Sequence, residues 1–200
     1  MTLLGLDFDN TLVRYDKLFH QLAVEKGLIE ESLEANKITI RDYLRTQGKD
    51  EQFTLLQGEA YGLRILEAEP AEGMLKALSE LNQRGIPMVL VSHKTRTPYK
   101  GPGYDLHQAA WGWLEQRGFF APDGLGWSRN QVFFEDSKQA KVARIEAQRC
   151  THYVDDLPEI LEMLPSSIKG IHYDPNNKYC SNQYHHLSDW SLLSESDLLR

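Results

Sequence analysis

The chain predicts an α/β fold: a parallel sheet with helices on both faces and a helical insertion after the first strand. Three observations carry this. Short apolar runs alternate with stretches of helical spacing, the pattern of successive strand–helix–strand units. The runs are rich in Val, Leu, Ile and aromatic residues, as strands buried on both faces are. Several of them end in a carboxylate or a hydroxyl, and a parallel sheet gathers the C-terminal ends of its strands along one edge, where ligands bind.

The elements follow in order. The first run, residues 2–8, leads into Asp7-Phe8-Asp9-Asn10-Thr11. Residues 14–69 break the alternation. Leu18, Leu22, Val24 and Leu28 form one helical stripe, polar residues 30–36 close it, and further turns run through 40–44 and 53–66. The next helix has Pro70 near its start, Met74, Leu75, Leu78 and Leu81 on its apolar face, and Gly85 at the C′ position. It delivers the chain to a second strand, 87–91, which ends at Ser92. Residues 93–130 form a second insertion. Its first part, 93–103, is basic and rich in Pro and Gly, hence a loop; a helix over 105–116 follows, with Trp111 and Trp113 best explained by core packing. Strands are expected at 131–135, 151–154 and 170–173. Between them lie a helix after Lys138, with Val142 and Ile145 on one face, and a helix opened by Pro158. The tail from 177 is polar, then weakly helical at 190–199, and His185-His186 reads as a surface pair rather than a metal site.

Two hundred residues suit one domain, or a core with a small added unit. The formal charge of −7 sets the molecule against DNA and anionic membranes as partners. Cys150 and Cys180 have neither pairing nor metal spacing, which fits plain thiols in a reducing compartment. No basic leader opens the chain, and no apolar run reaches the ~20 residues that span a bilayer. The reading is a soluble, cytoplasmic protein.

The strand ends bring Asp7, Asp9, Thr11, Ser92, Asp155 and Asp156 to one edge, with Lys138 opening a nearby helix. Magnesium bridging carboxylates to a phosphoryl group needs such a set. Taken singly, Asp-x-Asp is often a turn cap and Ser92 a loop serine; the joint occurrence argues for chemistry.

In type and order these motifs resemble the haloacid dehalogenase superfamily of phosphohydrolases, over residues 3–156. The resemblance implies a Rossmann-like core from 1–13 and 70–200, with a small helical cap at 14–69. It places Asp7 at the nucleophile position and Asp9 at the general acid/base. Thr11 and Ser92 match phosphate-binding hydroxyls. Lys138 matches the third-motif lysine, with Lys141 one turn away. Lys138 is preferred because it stands closer to the strand end and opposes the helix dipole in the first turn, whereas Lys141 reads as a solvated face. Asp155 and Asp156 match the acidic pair, so Mg²⁺ would be held by Asp7, Asp9 (through its carbonyl), Asp155 and Asp156.

The family's dehalogenases lack the second aspartate, so Asp9 points to phosphoryl transfer, by a phosphatase or a phosphomutase. The segment leaving Ser92 adds His93 and Lys94 as candidate substrate-binding residues. With Arg96 and Lys100 it is either a grip on an anionic substrate or a solvated loop. The expectation is a magnesium-dependent phosphatase for a small phosphorylated metabolite. The alternatives are a non-catalytic binding or regulatory module on the same fold, and a phosphatase acting on nucleic-acid ends; the acidic charge and the lack of a long basic stripe count against the last. The oligomeric state is left open.

Overall fold

The computed structural model describes residues 2–178, 183–195 and 197–199. Its elements in chain order are β1 (Leu4–Leu6), β2 (Val13–Arg14), α1 (Asp16–Glu25), α2 (Lys37–Thr46), α3 (Asp50–Gly58), β3 (Glu69–Pro70), α4 (Met74–Gln83), β4 (Met88–His93), α5 (Leu106–Gln116), β5 (Val132–Glu135), α6 (Lys138–Ala147), β6 (His152–Asp155), α7 (Pro158–Glu162), β7 (Lys169–Tyr173), β8 (His185–Leu187) and α8 (Trp190–Glu195). The chain divides into two units: 1–13, 70–94 and 118–200 form the first, and 14–69 with 95–117 the second.

The first unit is built on a six-stranded sheet in the order β5-β4-β1-β6-β7-β8. The strands run parallel, with Leu4 opposite both Met88 and His152, Asp155 opposite His172, and His172 opposite His186. From β1 the order runs one way through β4 and β5 and the other way through β6, β7 and β8. The switch point therefore lies between β1 and β6, where open α/β sheets bind ligands. One face of the sheet buries Val89, Val91 and Tyr153 against Ile145 of α6 and Ile160 and Leu161 of α7. Local signals mark the helices. Ser137 caps α6 by accepting from the Ala140 amide, Pro158 opens α7, and Gly85, at φ +72°, ends α4 in the left-handed conformation.

The second unit is helical. Asn36 caps α2 and Asp105 caps α5. Its core includes Tyr15, Phe19, Phe53 and Tyr61 in mutual aromatic contact. Residues 95–117, read from sequence as part of the core domain, group instead with 14–69. The physical reason is close packing. Trp113 is fully buried and its indole N–H donates to the Ala68 carbonyl at 2.8 Å. A Cβ on Gly62 would lie 2.6 Å from Tyr104 Cβ, and one on Gly58 would lie 3.1 Å from Pro98 Cβ.

One further difference stands at the C-terminal end: the polar tail contributes a sixth strand, β8. The helix expected from 190 is present as α8 and buries Trp190. Of the two thiols, Cys150 is free and buried, and burial pushes it up to about 12; Cys180 lies outside the described residues. Among the described residues no helix is long and apolar enough to cross a membrane.

Gly5 sits in the middle of β1 because nothing larger fits. A Cβ there would stand 2.5 Å from Tyr153 Cδ2 and 2.9 Å from Cys150 Sγ. Gly5→Ala should therefore destabilise the protein by about 1–3 kcal/mol, the cost of overpacking. Chemical denaturation checks this, and an unchanged midpoint would show that the Tyr153 ring yields freely.

Candidate active site

Asp7 follows β1, and its amide still donates to Val154 O at 2.9 Å, so the sheet ladder aims its side chain over the strand ends. Asn10 then takes φ +61°, a conformation Asn tolerates better than most residues. This turn brings Thr11 back, its hydroxyl 3.3 Å from Asp7 Oδ2 and 3.4 Å from Asp156 Oδ1. From β4, the Ser92 hydroxyl donates to Asp7 Oδ1 at 2.9 Å. Asp155 ends β6, completely buried, and accepts from the Leu157 amide.

Between these carboxylates stands Lys141. Its ammonium lies 2.7 Å from Asp7 Oδ1 and 2.6 Å from Asp155 Oδ2, with only 2 % of its surface exposed. Burial disfavours its charge, but the two carboxylates outweigh burial and raise its pKa. Burial and the neighbouring Asp7 charge push Asp155 the other way from an ordinary carboxylate, up to about 7, against the pull of Lys141.

Lys138, preferred from sequence, is elsewhere. It edges the cleft but pairs with Glu159 at 2.5 Å, partly exposed, while Lys141 is the reverse of a solvated residue. Both lysines share a side of α6. The helix begins at Lys138, so only the lysine one turn further in reaches the carboxylates.

Lys94 is the second difference. The sequence left Lys94 as either a grip on an anionic substrate or part of a solvated loop; it is 4 % exposed and grips both Asp9 oxygens at 2.9 and 2.8 Å. Its amide bonds to Glu135 O, so it extends β4 by one residue and its direction is set by the strand. Asp7 and Asp9 stand i, i+2, as do Ser92 and Lys94, and the two pairs meet rung for rung: Ser92 on Asp7, Lys94 on Asp9. That matched spacing was the available signal. The other basic residues of this loop are paired within the second unit, Arg96 with Asp105 and Lys100 with Glu51.

Asp7, Asp9, Ser92, His93, Lys138, Lys141 and Asp156 all line one cleft of about 80 Å³. Oxygen atoms of Asp7, Asp155 and Asp156 lie within 4.8 Å of one another. Three carboxylates facing one buried lysine leave excess negative charge, and oxygen donors of this kind suit a hard divalent cation. Sequence reasoning also missed His172, whose Nε2 lies 3.2 Å from the Asp156 carbonyl and so backs the acidic pair.

No family model matches the chain, and no curated protein matches its sequence. Solved structures do match. A hydrolase of the haloacid dehalogenase family from Deinococcus radiodurans R1, with bound phosphate and sodium, is 14% identical with a TM-score of 0.56, covering 96% of this chain and 93% of its own. A dehalogenase is 10% identical with a TM-score of 0.60, covering 96% and 95%. A phosphoserine phosphohydrolase-like protein from Francisella tularensis is 12% identical with a TM-score of 0.52, covering 97% and 98%. At these identities the likeness is one of architecture, and with the parallel sheet it shows that this chain has the fold of the haloacid dehalogenase-like hydrolases.

Proposed function

We propose that the protein is a magnesium-dependent phosphatase that hydrolyses a small phosphorylated substrate through an aspartyl-phosphate on Asp7. The observation that carries this reading is the pairing of Asp7 with Asp9 on one cleft, the first held by Ser92, Thr11 and Lys141, the second by Lys94. C–halogen cleavage needs no acid for its leaving group, whereas an alkoxide leaving from phosphorus does. Asp9 supplies that acid, which favours phosphoryl transfer over the chemistry of the dehalogenase neighbours.

Asp7 attacks phosphorus in line, forming a P–O bond to its carboxylate as the ester P–O bond breaks. Asp9 gives its proton to the leaving oxygen. It then takes one from water, whose attack on phosphorus releases phosphate and restores the Asp7 carboxylate. Ser92 and Thr11 hold Asp7 at rest and turn their single hydroxyl hydrogens to the phosphoryl oxygens once substrate is bound, and Lys141 offsets charge that gathers in the transition state. Asp7, Asp155 and Asp156, with the Asp9 carbonyl, would hold magnesium, which when bound neutralises phosphoryl oxygens as a Lewis acid. Lys94 keeps Asp9 aimed into the cleft. The chain passes into the helical unit at Arg14, five residues beyond Asp9, and again at Thr95, directly after Lys94. The absence of a long basic stripe and the net charge of −7 favour a small substrate over nucleic-acid ends.

Activity on a generic aryl phosphate should vanish on chelation and return with magnesium. Undiminished turnover in excess chelator would exclude the mechanism, and no turnover with or without magnesium would leave the binding-module reading.

Asp7→Asn should abolish turnover with its circular dichroism unchanged, because an amide cannot attack, and Asp9→Asn should slow both formation and hydrolysis of the intermediate. Full activity in Asp7→Asn, with deamidation excluded by mass spectrometry, would sink the assignment.

Lys141→Ala should lower turnover at least tenfold, about 1.4 kcal/mol of transition-state stabilisation. It should also lose about 3–5 kcal/mol of stability, since two buried carboxylates lose their partner. Lys138→Ala should keep both near wild type. Parallel kinetic and melting measurements decide it, and the opposite ranking would return the role to Lys138.

A further inference from the structure

The outer edge of the sheet holds a second cluster of metal-capable side chains. His172 and His186 are direct neighbours in the β7–β8 register, and Asp174 stands two residues beyond His172, on the same side of the strand. Donor atoms of the three lie within 4.8 Å of one another. His172 and Asp174 are 3 % and 6 % exposed, so two of the donors are withdrawn from bulk water.

The hydrogen bonds behind the rings matter more than the cluster. His172 Nε2 lies 3.2 Å from the Asp156 carbonyl oxygen, and His186 Nε2 lies 2.8 Å from Asn177 Oδ1. Oxygen can only accept in these contacts, so each ring donates through Nε2 and keeps Nδ1 on its other side. Metal-ligating histidines are held this way: the far nitrogen donates to an oxygen and leaves the near one to ligate. Two such rings are preset here beside a buried carboxylate.

We infer that His172, Asp174 and His186 form a second metal site, for a divalent transition ion of zinc chemistry. Two imidazole nitrogens and one carboxylate suit zinc and its neighbours, whereas magnesium prefers oxygen donors. Three protein ligands leave a fourth position for water. The site differs in donor chemistry from the carboxylates around Asp7, but it is physically joined to them. Asp155, His172 and His186 occupy one row across three strands. An ion held by His172 would steady the ring that donates to the Asp156 carbonyl, and would fasten the three-residue strand β8 to β7. This inference does not depend on the reaction proposed above.

Zinc binding to the metal-free full chain tests it, measured by competition with a chromophoric chelator in a large excess of magnesium. One zinc per chain is expected, and cobalt in its place should give the visible absorption of a nitrogen-ligated ion. His186→Ala, at an exposed position, and Asp174→Asn should each weaken zinc binding at least tenfold while the far-ultraviolet spectrum stays that of the parent. Asp7→Asn should bind zinc as the parent does. Absence of stoichiometric zinc in the parent, unchanged affinity in either edge variant, or loss of zinc in Asp7→Asn would each overturn the proposal.

Discussion

One ammonium group holds the centre of this molecule. Lys141 sits between Asp7 and Asp155, all three withdrawn from solvent, so α6, the end of β1 and the end of β6 are tied at a single point. None of the three charges is tolerable alone in such a place. The pairing is also incomplete by design of its stoichiometry: two carboxylates face one cation, with Asp156 nearby. That imbalance lies at the switch point of the sheet, where strand ends diverge and leave a crevice. Packing alone would favour a neutral filling there; the retained carboxylates form instead a cluster of oxygen donors of the kind that could hold a cation.

Around that point the site is organised as rungs. Ser92 meets Asp7 and Lys94 meets Asp9, because two adjacent parallel segments carry their polar residues at the same spacing of two. Parallel register makes such matching automatic once the strands pair, without a dedicated loop to position each group. The same regularity carries across the sheet to Asp155, His172 and His186. Backbone geometry places these side chains; side-chain packing then only has to hold them.

What could be read from sequence follows the same logic. Strands β1, β4, β5, β6 and β7 were legible because buried parallel strands are near-continuous apolar runs. Strand β8 was not, since His185-His186-Leu187 carries no apolar run and exists only by pairing with β7. The carboxylates were legible because each ends a strand. The lysines were not. A helical wheel places Lys138 and Lys141 on one side, and depth is decided by where the Ser137 cap starts the helix. Lys94 read equally as a grip on an anionic substrate or as part of a solvated loop, and the extra rung beside Glu135 turns it toward Asp9. The grouping of 95–117 with the earlier helices rests on Trp113 and on glycines facing Tyr104 and Pro98, contacts between distant segments that local patterns do not encode.

The second unit is assembled from two stretches with a strand-bearing segment between them. On the ribosome, the helices of 14–69 emerge first and must wait for Trp113 before the Ala68 carbonyl finds its indole partner and the gap beside it is filled. During that interval β4 is synthesised and can already join β1. The order of synthesis therefore couples completion of the helical unit to prior growth of the sheet. A nascent chain stalled before residue 113 would carry an unfinished helical layer, with its apolar side open to chaperones.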